Sequence, residues 1–190
     1  MNHPPTIETE RLILRPFQMS DAARVKELAG SYEIYRPTLN IPHPYEDGVA
    51  ERWISTHPAQ FYSGEGVNLA VTLKADNILI GAIGLGASPK HNRAELGYWI
   101  GVPYWGNGYC TEAAMAVIRY GFEVLNLHKI TCSHMERNTA SGRVMQKAGM
   151  RREGVLTDHV VKDGEYRTMV LHGILNGEEG ADTQDHSSSI

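Results

Sequence analysis

The sequence lacks the features that mark several large classes of protein. Its 190 residues carry 18 Lys and Arg against 22 Asp and Glu, a formal net charge of −4 and a pI near 6.1. Without a basic excess there is no electrostatic footprint for nucleic acid, so we expect no nucleic-acid partner. The chain has no apolar run of about 18 residues and no basic segment followed by an apolar core at its N-terminus. We therefore expect no membrane association and a cytoplasmic location.

Cysteine is scarce as well. Cys110 lies in a glycine-rich segment and Cys132 in an apolar run. Two cysteines placed in this way fit a reducing compartment better than a disulfide framework, and we predict two free thiols. The nine histidines include no His-Glu-x-x-His and have no Cys-x-x-Cys partner, so we predict no metal site.

Short apolar runs and helical patterns alternate along the chain. The apolar runs predict strands at 11–17, 67–73, 78–86, 94–101 and 128–135, and two more at about 153–161 and 166–175. The turn between the last two, Lys-Asp-Gly-Glu, is of the Asp-Gly hairpin type. Helices are predicted at 20–30 with Ser20 as the N-cap, at about 46–60, after the glycine loop as far as Leu125, and at 138–149.

This order of elements predicts one mixed α/β domain over residues 6–175, with about seven strands, mostly antiparallel, and about four helices. The segment from Ser31 to Pro44 contains prolines and aromatic residues without a clear period, and we interpret it as the lip of a site. The polar, acidic residues 176–190 show no periodicity and are predicted to be disordered.

Two glycines, Gly106 and Gly108, separate an apolar run from a helical pattern in the stretch GYWIGVPYWGNGYCTEA. A strand, a glycine loop and a helix bring several backbone N–H groups to one point, which attracts phosphate. Glycine can adopt positive φ and admit a ligand to the main chain, and Thr111 is predicted to cap the helix. The loop contains no Lys or Arg, so main-chain dipoles would hold the anion.

Two other phosphate-binding motifs and a loop without a ligand are the alternative interpretations of these glycines. A nucleotide P-loop requires G-x-x-x-x-G-K-[ST], which the chain does not contain. The dinucleotide fingerprint G-x-G-x-x-G fails because Thr111 occupies the position of the third glycine. A glycine turn that binds nothing remains an alternative on this stretch alone.

The same stretch, followed by NTAS and KAGM, resembles the GNAT acetyltransferases, and within them the RimJ/RimL branch that acetylates ribosomal-protein N-termini. The opening IETERLILRPFQMSDA is similar to the start of that branch, and the resemblance extends from about Thr6 to Leu175. It implies the GNAT acyl-CoA N-acyltransferase fold, acetyl-CoA as the cofactor and an amine as the acceptor. A ribosomal-protein N-terminus is the acceptor that the branch suggests.

The resemblance also assigns the cofactor contacts. The family's pyrophosphate loop, [Q/R]-x-x-G-x-[G/A], ends on Gly106 to Gly108, and its first position is Pro103, which departs from the pattern and has no N–H to donate. Asn138 and Ser141 match the family's N-x-x-S, in which the Asn side chain reaches the cofactor. The implied contacts are the backbone of Ile100, Gly101 and Val102 for pantetheine, and the amides of Gly106, Asn107, Gly108, Tyr109, Cys110 and Thr111 for pyrophosphate.

Acetyl transfer to an amine needs a neutral amine, a stabilised oxyanion and a proton for the departing thiolate. A lysine ε-amine is only about 0.04% neutral at pH 7, whereas an α-amine is about 14% neutral, so a modest base suffices for an N-terminus. Glu95 is the candidate base, and a solvated strand residue is its alternative reading. By resemblance Ser141 is the candidate acid, with Tyr109 second; Ser141 as a packing or capping residue is equally compatible with the sequence.

The residues that would bind the acceptor amine are less clearly indicated by the sequence than those that would bind the cofactor. Tyr98 is a candidate wall of the acceptor channel, and Tyr32, Tyr35 and Arg36 are candidate substrate contacts. Glu112, in the first turn of the helix, is assigned to the helix dipole. We predict direct attack of the amine in a ternary complex, with neither cysteine as a nucleophile. The alternatives are a small-molecule acceptor, such as a polyamine, amino acid or antibiotic, or a non-catalytic acyl-CoA-binding module. The sequence does not define the oligomeric state, and a homodimer is our hypothesis.

Overall fold

The computed structural model describes residues 3–177, and within them one sheet of eight strands has the order β1-β2-β3-β4-β5-β6-β8-β7. The strands are β1 (Ile7–Glu8), β2 (Leu12–Pro16), β3 (Gly66–Leu73), β4 (Leu79–Ser88), β5 (Arg93–Ile100), β6 (Lys129–Met135), β7 (Arg151–Lys162) and β8 (Glu165–Leu175). The helices are α1 (Ala22–Ala29), α2 (Tyr32–Tyr35), α3 (Val49–Tyr62), α4 (Tyr109–Glu123) and α5 (Thr139–Lys147). Short 3₁₀ turns cover Met19–Asp21, Pro89–His91 and Val102–Tyr104.

Helices cover both faces of the sheet, and the alternation of strand side chains explains why. On β3, Leu69 and Val71 belong to the core beneath α4 and α5, while Ala70 between them belongs to the core beneath α1 and α3. Every residue from Leu79 to Leu85 on β4 is buried, because this central strand is covered on both faces. The prediction of a mixed α/β fold with a mostly antiparallel sheet is confirmed.

The sheet has one parallel contact, between β5 and β6, and within the described residues it consists of three residue pairs. These are Arg93 with Lys129, Ala94 with Ile130, and Glu95 with Thr131. Beyond Glu95, β5 continues to pair with β4 as far as Ile100, while β6 pairs with β8 as far as Met135. The two strands therefore diverge, and the sheet opens between them.

Several predicted boundaries are corrected. Residues 3–177 contain one more strand and one more helix than expected, because β1 has two residues and α2 is a single turn within the predicted lip. Ser20 does not cap α1: it lies in a 3₁₀ turn, and Asp21 precedes the helix. The Asp-Gly hairpin turn is confirmed, since Asp163 and Gly164 both have positive φ. The predicted disordered segment lies outside the described residues except for 176–177.

No helix within residues 3–177 is long and apolar enough to cross a membrane.

The position of β5 depends on a glycine in β4. A Cβ atom at Gly81 would lie 2.3 Å from the Trp99 carbonyl oxygen and 2.7 Å from Cδ1 of Ile100. Because the first of these atoms belongs to the β5 backbone, Gly81→Ala is expected to reduce the free energy of unfolding by about 1–3 kcal/mol, measured by urea denaturation. Gly97→Ala is the matched control, since nothing lies within 4 Å of its Cβ position, and a change within about 0.5 kcal/mol is expected. Equal destabilisation by the two substitutions would contradict this packing account.

Candidate active site

The gap between β5 and β6 opens into a cavity of about 470 Å³. Four parts of the chain line it: the second half of β5, the glycine loop with the start of α4, one face of α5, and the lip that contains α2. The predicted site residues that line this cavity are Tyr98, Ile100, Gly106, Gly108, Tyr109, Cys110, Thr111, Asn138 and Ser141. The structure therefore brings the loop, the strand and the N-x-x-S motif together.

The start of α4 supplies backbone donors at the cavity wall. Gly106 and Gly108 have φ of +78° and +79°, a backbone conformation that favours glycine. Gly108 is the N-cap and no side chain caps the helix, so the first N–H groups of α4, from Tyr109 onward, have no intrahelical acceptor. The prediction that Thr111 caps the helix is wrong, because α4 begins two residues earlier, at Tyr109.

The glycine loop is fixed from both sides. On one side the Asn107 side chain donates to the carbonyls of Tyr104 at 3.2 Å and Trp105 at 3.0 Å. Asn107 is not among the residues that line the cavity, and the predicted contact of its amide with pyrophosphate stays a prediction. On the other side Arg11, in the turn immediately before β2, donates to the Asn107 carbonyl at 3.0 Å.

Arg11 also fixes the first turn of α4. Its Nε and Nη2 atoms each lie 2.7 Å from Oε2 of Glu112, and its backbone N–H donates to Oε1 at 2.8 Å. Thr9 Oγ1 donates to the same Oε1 at 2.6 Å, and the Arg11 guanidinium lies 4.7 Å from the centroid of the Tyr109 ring. The β1–β2 turn therefore holds both the loop and the helix that follows it.

The charge of Glu112 is neutralised by the same contacts. Burial would raise the pKa of this carboxyl, but the hydrogen bonds from Thr9 and Arg11 outweigh it and hold the pKa below its ordinary value. An ionised carboxylate paired with a guanidinium does not repel an anion at the helix N-terminus as a free carboxylate would. Two cations of α5, Arg143 and Lys147, add positive charge to the cavity wall.

The part of the β5 backbone that is free to pair with a ligand is not the segment Ile100 to Val102 that was predicted to contact pantetheine. The Gly101 N–H donates to the Ile80 carbonyl on β4 at 2.8 Å. In an antiparallel ladder the groups of alternate residues point to opposite sides, so Leu96, Tyr98 and Ile100 direct their N–H and C=O groups toward the gap. The Ile100 carbonyl is already used, because the Trp105 indole N–H donates to it at 2.5 Å. The edge that can pair with a ligand is therefore centred on Tyr98.

Side chains from β5 and α5 meet across the cavity. The Tyr98 hydroxyl and Ser141 Oγ share a hydrogen bond of 2.8 Å, and the Tyr98 hydroxyl also donates to the Ser141 carbonyl at 3.2 Å. Burial, together with the nearby Cys132, raises the pKa of Tyr98 above its ordinary value, so this phenol stays protonated. Asn138 caps α5, because its side-chain oxygen accepts from the Ser141 N–H at 3.2 Å. Asn138 therefore caps α5 and also lines the cavity.

Both cysteines are free thiols, as predicted. Burial raises the pKa of Cys110 to about 12. Burial also raises the pKa of Cys132, with smaller contributions from the charges of Glu95 and Cys110. A thiol with a raised pKa is protonated at neutral pH and is a poor nucleophile.

Glu95 lies at the point where β5 and β6 diverge. It is exposed, it does not line the 470 Å³ cavity, and its Oε1 accepts a hydrogen bond of 3.1 Å from Ser133 Oγ on β6. Its strand neighbours Ala94 and Leu96 belong to the core beneath α4, so Glu95 faces the other side of the sheet. Its assignment as the base stays a prediction.

Three lip residues predicted to contact the substrate do not line the 470 Å³ cavity, and their role stays a prediction. Tyr35 stacks on His43 at 5.2 Å between ring centroids, donates to the Asp163 carboxylate and lies 3.6 Å from the Lys162 ammonium. It lines a separate cavity of about 430 Å³, and neither Tyr32 nor Arg36 lines the cavity beside α4. Ile34, Pro37 and Thr38 line it instead.

Sequence reasoning missed other residues of the site. From Ala140, the helical spacing i, i+3, i+4, i+7 leads to Arg143, Val144 and Lys147, all of which line the cavity, so the α5 cations could have been found from periodicity. Arg11 carries no such local signal, because its partner Glu112 is 101 residues away in the sequence.

Comparison with known proteins identifies the class. Residues 11–151 match the family model of the acetyltransferase (GNAT) domain. The uncharacterised N-acetyltransferase YoaA of Bacillus subtilis is 33% identical over 177 residues, covering 92% of this chain and 99% of the relative. A crystal structure of a GNAT-family acetyltransferase from Bacillus anthracis superposes with a TM-score of 0.81 at 29% identity, covering 90% and 99% of the two chains. The chain belongs to the GNAT family and is an N-acetyltransferase; the family uses acetyl-CoA.

Two partial matches differ in their acceptors. The ribosomal protein uS5-alanine N-acetyltransferase of Escherichia coli is 37% identical over 76 residues, covering 40% of this chain and 39% of the relative. The spermidine N(1)-acetyltransferase of the same organism is 35% identical over 80 residues, covering 42% and 43%. The relatives therefore include one enzyme named for an alanine of a ribosomal protein and one named for spermidine.

The contacts of Arg11 generate a binding prediction. Arg11→Gln removes the guanidinium that joins Glu112 to the glycine loop, and it leaves the Glu112 charge uncompensated beside the helix N-terminus. The dissociation constant for acetyl-CoA, measured by isothermal titration calorimetry, is expected to rise severalfold. Lys26→Gln is the matched control, since the Lys26 side chain pairs with Asp47 and Lys26 does not line the cavity. Unchanged affinity in the Arg11 variant would contradict the positioning role.

Proposed function

We propose that this N-acetyltransferase transfers the acetyl group of acetyl-CoA to the α-amine at a protein N-terminus, by direct attack in a ternary complex. One observation carries the proposal for the cofactor: the uncapped N-terminus of α4 and the unpaired edge of β5 line the same cavity. A helix N-terminus suits pyrophosphate, and an open strand edge suits the amides of a pantetheine arm.

The residues present fit acetyl-CoA. The backbone amides of Gly108, Tyr109, Cys110 and Thr111 would hold the pyrophosphate, and the backbone of Tyr98 would pair with the pantetheine amides. Arg143 and Lys147, on the cavity wall, would offset the phosphate charge. Acetyl-CoA supplies an activated acetyl thioester and a thiol leaving group.

The composition of the cavity wall favours an α-amine over other acceptors. Among the described residues that line it there is no Asp, Glu or His, and it has two cationic side chains. A lysine ε-amine, about 0.04% neutral at pH 7, would need a strong base on that wall, whereas an α-amine, already about 14% neutral, needs only a modest base such as Glu95. A polyamine, which carries several positive charges, would meet Arg143 and Lys147 rather than carboxylates. The uS5-alanine enzyme among the relatives agrees with this choice and the spermidine enzyme with a polyamine, so the composition of the wall decides between them.

Three side chains would carry the proton transfers. Glu95 lies on the opposite face of the sheet, at the point where β5 and β6 diverge. It would accept the proton of the incoming ammonium, directly or through water. Ser141 would donate a proton to the departing thiolate, with its hydroxyl oriented by the bond to Tyr98. Tyr109 also lines the cavity and is the alternative donor.

Thiol release from acetyl-CoA tests the acceptor class. The purified protein would be given peptides with a free α-amine and no lysine, peptides with an acetylated N-terminus and one lysine, and spermidine. Release with the first set alone is the expected result. Release with spermidine alone would replace the proposed acceptor with a polyamine, and release with none of them would refute all three acceptors.

The base assignment predicts a pH effect. Glu95→Gln is expected to lower kcat by about 10²-fold, because a positioned base contributes on that order. The loss should be steepest at low pH, where more of the acceptor amine is protonated. The pH profile of kcat measures it, and Glu123→Gln, an exposed carboxylate at the end of α4, is the control. A pH profile that is unchanged in Glu95→Gln would remove Glu95 from the base role.

Direct attack predicts that Cys110 is dispensable as a nucleophile. Because burial keeps its thiol protonated, Cys110→Ala should leave kcat within a few-fold of the unsubstituted enzyme. Steady-state kinetics at saturating acetyl-CoA give the answer. A thousandfold loss of kcat with acetyl-CoA binding intact would indicate a covalent acyl-enzyme instead.

A further inference from the structure

A polar pocket distinct from the 470 Å³ and 430 Å³ cavities lies beside the neighbouring face of α5. Its volume is about 340 Å³, and its wall on α5 comes from Thr139, Gly142, Arg143 and Gln146, which follow helical spacing. The remaining wall comes from three strands: His134 and Glu136 at the end of β6, Arg152 at the start of β7, and Val170 and His172 on β8. None of the roles proposed above for acetyl transfer uses this pocket except through Arg143, which lines both cavities.

Two buried imidazoles form part of the pocket wall. His134 and His172 are 8% and 2% exposed, and their rings are stacked with centroids 5.3 Å apart. His134 Nδ1 lies 2.8 Å from the Met135 carbonyl oxygen, but Nδ1 of His172 is buried and has no hydrogen-bond partner in the described part of the chain. Buried polar atoms are nearly always paired, so an unpaired imidazole nitrogen beside a cavity indicates a place where a polar ligand can bind.

The charge of the pocket wall is mainly positive. Arg143 donates to Thr139 Oγ1 at 3.3 Å, and across residues 3–177 neither Arg143 nor Arg152 has a carboxylate within 4 Å. Among the described residues that line the pocket, Glu136 contributes the single carboxylate. The pKa of His172 is lowered by burial, and further by the charges of His134 and Arg152, against an opposing effect of Glu153. Positive charge therefore acts on the buried ring.

We propose that this pocket binds the phosphoryl group of a small phosphorylated molecule. The planar guanidinium groups of Arg143 and Arg152 suit a tetrahedral oxyanion, and the Thr139 hydroxyl and the Gln146 amide offer further donors. His172, whose buried Nδ1 has no partner among the described residues, would add a donor from the buried wall as a neutral ring with its proton on that nitrogen. The pocket is larger than an inorganic phosphate ion requires, so its volume leaves room for an organic part of the ligand.

Calorimetric titration of the full-length protein tests this proposal. Coenzyme A would be present at saturation so that the cavity beside α4 is occupied, and the probes would be inorganic phosphate and glycerol 3-phosphate at constant ionic strength. Saturable binding of both probes is expected. Arg152→Gln should weaken it by about tenfold or more, the usual size of a lost hydrogen bond between charged groups. Arg137→Gln, an exposed arginine on the β6–α5 connection outside the pocket, should bind as the unsubstituted protein does.

A second measurement locates the bound ion. Phosphate should shift the imidazole NMR signals of His172 and raise its pKa, because a bound dianion offsets the lowering effect of the Arg152 charge. No saturable binding in the millimolar range, equal binding by Arg152→Gln, or displacement of the probes by coenzyme A would each overturn the proposal. The assay measures binding without acetyl transfer, so its outcome is independent of the proposed acceptor.

Discussion

Parallel pairing between β5 and β6 stops after three residue pairs, and the backbone groups that β5 leaves unpaired beyond Glu95 face the cavity. An unpaired backbone group that is shut away from water costs about 1–3 kcal/mol, so this edge has to face solvent or a ligand. The Tyr98 backbone remains available there, while the Ile100 carbonyl is used by Trp105. The divergence of two strands thus creates both the space and the donors of the site.

The second requirement of the site is a helix N-terminus that remains attractive to an anion. Glycine at the N-cap of α4 leaves the first N–H groups without a side-chain acceptor, and the carboxylate of Glu112 one turn further on would weaken their attraction. Arg11 neutralises the Glu112 carboxylate by pairing with it. It also fixes the glycine loop, because it donates a hydrogen bond to the Asn107 carbonyl. A residue near the start of the chain therefore determines how the central loop is presented.

The sequence predicted those parts of the site whose structure depends on residues close together in the chain. The run of β5, the two glycines and the helical patterns of α4 and α5 predicted the elements that form the cavity wall, because each depends on neighbours within a few residues. The roles of Asn138 and Ser141 came from the family resemblance. The helix start was misplaced at Thr111, since a glycine with positive φ can cap a helix without any side chain. The contacts of Arg11 and the position of the lip depend on residues about 100 or more positions apart, and periodicity carries no information about them.

Amide hydrogen exchange with and without acetyl-CoA tests the central claim, that the diverging edge of β5 and the start of α4 hold the cofactor. Protection should increase in the segments 96–101 and 106–111, while the paired segments 67–73 and 79–85 of the central sheet should exchange at unchanged rates. Protection that appears elsewhere with these two segments unchanged would contradict the account.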